Sequence, residues 1–327
     1  MLDRLRQPWP DRRAERMLGA LAVVVLLVIA LMLTFVAIRA WPAFQHNGLH
    51  WFGAQGDVDQ QISTMVNTGA NPSPADYRFG AWPLIWATIL TTGIAVVVGL
   101  AFALLSAIFI VEFSPLALRR VLVPVVRLLA AVPSVVYGLV GILVLAPFVG
   151  DRLISSDRRT SVEFVIQLSG PGLLVSVVVL TVMITPIMIA IIVEALHAVP
   201  RSWKEGAVAL GVNRWRAMWT VSVRVARPAI LAGAVLACAR ALGEAIMLSM
   251  ASGGKGFAPN PADGLTFVFE PLRPLAATIV ENVESINAPA IRANVYAMSL
   301  VLLLSTLMLS FGAWMAKRSM RRYGVAG

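Results

Sequence analysis

Along the chain, polar and charged positions gather into short stretches that separate long apolar runs. Six runs, at residues 18–38, 83–111, 121–149, 172–193, 228–251 and 294–316, hold few or no charges over enough length to cross a bilayer as a helix. The predicted fold class is therefore all-α: a polytopic membrane helical bundle with six transmembrane helices. One membrane domain, residues 18–316, is framed by a basic N-terminus, 1–17, and a basic tail, 317–327, with the longest inner loop at 194–227. Arg4, Arg6, Arg12, Arg13 and Arg16 precede the first run as they would a secretory signal. That run is too long for a signal core and no A-x-A site follows it, so it is expected to stay as an anchor.

The basic residues orient the bundle. With both termini on the cytoplasmic side, the inner segments carry 17 Lys and Arg in 71 residues and the outer loops 8 in 108. The direction is that of the positive-inside rule, and it predicts a multi-pass protein of the bacterial cytoplasmic membrane. Composition agrees: 58% of residues are apolar and 13% charged, against about 25% charged in soluble domains, which excludes a water-soluble enzyme. A net charge of +10 would otherwise point to nucleic acid, but the basic residues sit at the ends of apolar runs without interleaved aromatics, so no nucleic-acid partner is expected. A lone Cys238 allows neither a disulfide nor a Cys-based metal site. His46 and His50 have i, i+4 spacing, yet no H-E-x-x-H surrounds them and no metal is predicted.

Proline and charge pick out the unusual positions inside the runs. The third run contains Pro124, Pro133 and Pro147, and is expected to kink or unwind around Pro133 and Ser134, either as a packing kink or along a pathway. In the last outer loop, Pro274 followed by Leu275, Ala276, Ala277, Ile279 and Val280 predicts a short amphipathic helix at the interface. Three charged residues lie inside the runs: Arg127, Arg240 and Glu244. Arg127 is close enough to the inner end to snorkel, which favours a structural or interfacial role over contact with substrate. Arg240 is near the middle of the fifth run, where an unpaired Arg costs on the order of 2.5–3.5 kcal/mol.

Glu244 follows Arg240 by four residues, so a continuous helix would place both on one face and let them neutralise each other in part. One reading is a buried pair that fixes packing. The other is a transport path, because buried ion pairs stabilise poorly and need a further reason to exist. A guanidinium that never deprotonates can give a tetrahedral oxyanion two parallel hydrogen bonds, while Glu244 keeps the site from trapping it. Residue chemistry alone gives an anion and leaves its identity open.

The inner loop 194–227 predicts two short helices. Ser202 and Glu205 have capping-box spacing after Pro200, Gly211 is placed to end the first helix in a left-handed conformation, and Asn213 can cap the second. Ala207, Val208 and Leu210 would need cover in the cytoplasm. That cover is a partner's groove or, with Arg201, Lys204, Trp203 and Trp215, the lipid headgroups.

Glu205, Gly206, Ala207 and Gly211 resemble the E-A-A-x-x-x-G loop of ATP-binding-cassette importer permeases, and the fold expected from that likeness is of the type I importer permease kind. Two further stretches, Ala131 to Gly138 with Pro133, Ser134 and Tyr137, and Arg240-Ala241-Leu242-Gly243-Glu244, resemble the I-P-S-V-V-Y-G and R-A-L-G-E-T signatures of phosphate permeases of the PstC type. Residues 47–52 and 271–279 extend the likeness over nearly the whole chain. The resemblance implies phosphate translocation past Arg240 and Glu244, with Ser134, Tyr137 and Arg127 as further candidates. It implies ATPase coupling through Glu205, Gly206, Ala207, Leu210 and Gly211. It also implies as partners a homologous phosphate permease subunit, a dimer of ATPase subunits that use ATP and Mg, an external phosphate-binding protein and the lipid bilayer.

Three positions depart from the pattern: Gly206 replaces the second Ala of E-A-A, Val223-Arg224 stands for a Leu-Pro exit with Pro228 as a substitute, and Arg127 occupies an expected Glu. No G-x-x-x-x-G-K-[ST] occurs, since Ser249 holds the upstream Gly position before Lys255, so the chain is predicted non-catalytic with no cofactor of its own. The rival readings are a permease for another oxyanion or solute, a channel or ion-coupled carrier that uses Arg240 and Glu244, and a membrane-embedded enzyme. The runs hold no nucleophile with its base, carboxylate pair or metal cluster that an enzyme would need.

Overall fold

The computed structural model describes residues 9–69, 71–155 and 168–321. Arg4, Arg6, part of the second outer loop and the end of the basic tail lie outside them. The described chain is nearly all helical, and six of its helices are long and apolar enough to span a membrane. In order, α1 is Trp9–Asn47, α2 Val58–Val66, α3 Trp82–Ile108, α4 Leu116–Ala130, α5 Ser134–Leu153, α6 Leu173–His197, α7 Arg201–Ala209, α8 Arg214–Leu242, α9 Ile246–Ala251, α10 Leu275–Glu281 and α11 Pro289–Arg321. Four π-helical stretches interrupt the ladders: Phe109–Phe113 at the end of α3, Gly141–Leu145 and Val149–Leu153 within α5, and Met218–Val223 within α8.

The centre is α3, α6 and α8. Small residues let them approach: a methyl group at Gly99 would come within 2.9 Å of the Met188 side chain, and one at Gly233 within 3.3 Å of Ile191. Ala95, Ala103, Val179, Leu180, Met183, Ile184 and Ala237 fill the core between them. Two buried hydroxyls on α3 return to their own helix, Thr88 to the Leu84 carbonyl at 2.7 Å and Thr91 to that of Ala87 at 2.8 Å, while the buried Thr92 hydroxyl has no such bond. By contrast α1 leans on the bundle only near its outer end, through Val36, Ala40 and Ala43 against α11, while Leu21 through Leu31 are exposed, as befits a lipid-facing helix.

The apolar run at 121–149 is two elements. Pro133 lacks an N–H and pushes Val132 out of the helical region, so α4 ends at Ala130 and α5 starts at Ser134. The fifth run is also redrawn. Pro228 sits inside a helix that has run from Arg214, so no exit turn occurs at Val223-Arg224, and that helix stops at Leu242 rather than reaching residue 251. The helix after Pro274 is not a lipid-interface helix: Leu275, Ala276, Ala277 and Thr278 are buried against α3, α9 and α11, and the Leu275 N–H donates to Thr88 Oγ1 at 2.9 Å.

The end of the bundle where α1 finishes and α3 and α11 begin is tied by polar side chains within an apolar shell. Asn47 donates to the Tyr77 carbonyl at 2.6 Å and accepts from the Phe79 N–H at 2.9 Å; buried Trp51 donates from Nε1 to Asn294 Oδ1 at 2.9 Å. Arg273 bridges Asp59 of α2 at 2.8 Å and Glu281 at the end of α10 at 3.0 Å, tying α2 to the segment around α10. Burial pushes the Glu281 carboxyl above its ordinary range; Arg273 opposes that rise and Asp59 adds to it. Asn294 is fully buried, so Asn294→Ala strands the Trp51 N–H and is expected to cost about 1–3 kcal/mol. A lower unfolding midpoint in detergent is the expected reading, and an unchanged midpoint would count against this bond as a structural tie.

Candidate translocation and docking sites

Two helix breaks precede a packed pair of short helices, α5 and α9. α5 opens at Ser134 with Pro133 as its N-cap and no side-chain cap; the Val136 N–H donates to the Pro133 carbonyl at 3.1 Å, which leaves the Ser134 and Val135 N–H groups as the ones without helical partners. α8 closes with a tight turn in which the Gly243 N–H donates to the Arg240 carbonyl and the Glu244 N–H to the Ala241 carbonyl, both at 3.2 Å. The chain restarts as α9 at Ile246. α5 packs on α9 through Gly138, where a methyl group would lie 3.0 Å from Met250 Sδ and 3.2 Å from Met247 Cα. This contact brings Arg240 within electrostatic reach of the Tyr137 phenol. Tyr137 itself donates to the Leu129 carbonyl at 2.9 Å and so ties α5 back across the Pro133 break.

The expected pairing of Arg240 with Glu244 is not formed. Spacing of four places two side chains on one face only while the helix continues, and here it ends between them. Among the described residues no ion pair joins them: Arg240 is exposed in the last turn of α8, and Glu244 is half-buried in the nonhelical link. A cation in a last helical turn is also favoured by the helix dipole, so its position is locally stable without a carboxylate. Tyr137 and Arg240 therefore lie within reach of each other, while Ser134 opens α5 and Glu244 stands in the link before α9, each beside one of the two breaks. Arg127 belongs elsewhere: it sits in the last turn of α4 and pairs with Glu194 of α6 at 3.2 Å. Both side chains are more than 60% exposed, so the pair is worth little in free energy.

The segment between α6 and α8 carries the second candidate site. α7 holds Glu205, Gly206 and Ala207, with Leu210 as C-cap and Gly211 next at φ +80°. The Val212 N–H reaches the Ala207 carbonyl at 3.2 Å and the Gly211 N–H that of Val208 at 2.9 Å, the bond pair of a glycine-terminated helix. Asn213 then caps α8 by accepting from the Arg216 N–H at 2.7 Å. The Ser202–Glu205 capping box is not formed: α7 starts two residues earlier with Pro200 as N-cap, which moves Ser202 inside the first turn. Leu210 is 86% exposed, and Val208 and Trp203 are also exposed, an apolar edge without cover in this chain.

Sequence reasoning missed Glu112. It stands in the π turn after α3 and forms an ion pair with Lys204 of α7, while its carbonyl accepts from Arg214 Nη2 at 3.2 Å. Its partners lie 92 and 102 positions away, beyond any local pattern.

Residues 95–322 match the family model for the binding-protein-dependent transport system inner membrane component. A probable ABC transporter permease of Bacillus subtilis, YqgH, is 29% identical over 248 residues, covering 76% of this chain and 73% of that protein. The phosphate transport system permease protein PstC 1 of Mycobacterium tuberculosis is 32% identical over 281 residues, covering 83% and 82%. In fold, the chain resembles a subunit of a bacterial alginate ABC transporter with a TM-score of 0.58 at 14% identity, covering 95% of this chain and 98% of that one. Six spanning helices, the E-A-A-like stretch of α7 and these likenesses agree: the chain is a multi-pass membrane permease and belongs to the binding-protein-dependent transport system inner membrane component family.

Proposed function

We propose that this chain is one of two permease subunits of an ATP-driven importer of inorganic phosphate. It forms half of the translocation path and couples, through α7, to separate ATPase subunits that use ATP and Mg. What supports the substrate side is the packing of α5, which starts at a proline break, on α9, which restarts after the break at Gly243, with the unpaired Arg240 in the turn before that break. Unsatisfied N–H groups with the positive end of a helix dipole favour an anion, and broken helices at the repeat interface are a recurrent way of building transport sites. The phosphate assignment follows the relative named as a phosphate permease. An ion-coupled carrier that relays protons between Arg240 and Glu244 is disfavoured, because those side chains are not joined in the described structure.

The mechanism is alternating access. Both termini face the cytoplasm in this reading, so α7 projects toward the ATPases and the Trp51–Asn294 end faces the external binding protein. ATP binding draws the ATPases together, α7 moves with them, and the spans rock until the cavity opens outward. Phosphate released by the binding protein passes Arg240 at the boundary with the sister permease. Hydrolysis restores the inward state. Attraction at Arg240 is transient, since a deep well would hold the anion and slow release. Co-purification of the tagged chain is expected to bring down an ATPase and a second permease, with hydrolysis stimulated by phosphate-loaded binding protein. A complex that hydrolyses ATP in response to another solute but not to phosphate would overturn the substrate assignment.

A further inference from the structure

We infer that Glu112 is the positioning residue that links the docking helix α7 to the second span, through its carboxylate to Lys204 and its carbonyl to Arg214. The inference rests on the reading of α7 as the ATPase contact. At backbone level α7 packs mainly on the stretch that follows it, the start of α8. Motion of α7 alone would therefore be absorbed in the short turn between Ala209 and Arg214. Glu112 removes that slack. Lys204, in the middle of α7, and Arg214, the first residue of α8, both bind the same residue of the π turn at the inner end of α3. The two helices on either side of the turn are thereby tied to one point.

That point is itself held. The π turn Phe109–Phe113 shifts the register of the ladder, and Arg119 of α4 caps the carbonyls it exposes, from Nε to Ile110 at 2.9 Å and from Nη2 to Val111. The Lys204 and Glu112 side chains are 22% and 18% exposed, so water screens their attraction far less than at the open Arg127–Glu194 pair, where both are above 60%. From Glu112 the path runs along α3, whose packing on α6 leaves no room for a methyl group at Gly99, so a displacement at one end of the span moves its length. A cavity of about 810 Å³ opens beside this linkage, lined by Glu112, Arg119, His197, Lys204 and Arg214, so α7 is not packed solid against α4 and the end of α6.

The test uses the full reconstituted importer in liposomes, comparing Glu112→Gln, the double charge swap Glu112→Lys with Lys204→Glu, and the unaltered complex. The measurements are ATPase retained on purification, unfolding midpoint, and phosphate taken up per ATP hydrolysed. Glu112→Gln is expected to keep the ATPase bound and the midpoint unchanged but to lower phosphate per ATP about fivefold or more, a loss typical of a broken charged hydrogen bond. The swap restores most of it. Coupling within twofold of the unaltered complex in Glu112→Gln would overturn the linkage. So would a drop in midpoint that accounts for the loss without rescue by the swap, because the pair would then be structural. Failure of the unaltered chain to retain any ATPase is a distinct result, which removes the docking reading and this inference with it.

Discussion

Arg240→Gln is expected to lower phosphate uptake by the reconstituted importer about tenfold or more while the complex assembles normally, the loss corresponding to the 1.5–3 kcal/mol of a charged hydrogen bond. The argument begins from what Arg240 does not do. It lies exposed in the last turn of α8, pairs with no carboxylate among the described residues, and its backbone, not its side chain, closes the turn at Gly243. A glutamine keeps the length and loses the charge, so the fold has no reason to change. What changes is the attraction for an oxyanion passing the N-terminus of α5. Arg240→Lys separates charge from geometry: a point charge without the planar fork is expected to fall between the two. Glu244→Gln is expected to have the smaller effect of the two acidic and basic changes, since Glu244 does not neutralise Arg240 in this structure. Uptake at the unaltered rate in Arg240→Gln would return both residues to packing, and failure of assembly would assign Arg240 to the subunit boundary.

What the sequence made legible was whatever depends on local chemistry. Six spans follow from length and hydropathy alone, because the bilayer demands a minimum apolar length and forbids unpaired backbone. Gly211 and Asn213 could be placed because a left-handed helix end and an N-cap each need a particular residue type at one position. Pro133 was visible for the same reason. The break at Gly243 was not, since glycine is tolerated within membrane helices and the run remains apolar through Ala251. Placing Arg240 and Glu244 on one face was a correct rule applied to a helix that ends between them. The Ser202–Glu205 box failed by two residues of register, because Pro200 already supplies the starting dihedral. Glu112 was beyond reach for a different reason: its meaning lies in Lys204 and Arg214, and only the packing of α7 and α8 beside α3 brings them together.

Gly211→Val is expected to reduce phosphate-dependent ATP hydrolysis and uptake together, by about five- to thirtyfold, the factor that 1–2 kcal/mol of backbone strain imposes on the docked population. At φ +80° a branched side chain meets its own carbonyl, and relief requires the turn to leave the left-handed region. The Val212 to Ala207 and Gly211 to Val208 bonds that finish α7 would then be lost, and Leu210, with its exposed side chain, would be reoriented. No atom lies within 4 Å of where the new Cβ would sit, so a steric clash with neighbouring helices is not an available cause and the effect isolates the backbone. Gly211→Asn supplies the control, because asparagine tolerates this conformation and is expected to keep most of the coupling. Capture of phosphate by the external binding protein, far from this turn, is expected to be unchanged in both variants. Full coupling in Gly211→Val would show that the end of α7 is not part of the ATPase contact; equal loss in both variants would place the requirement on the glycine's missing side chain and not on its dihedral.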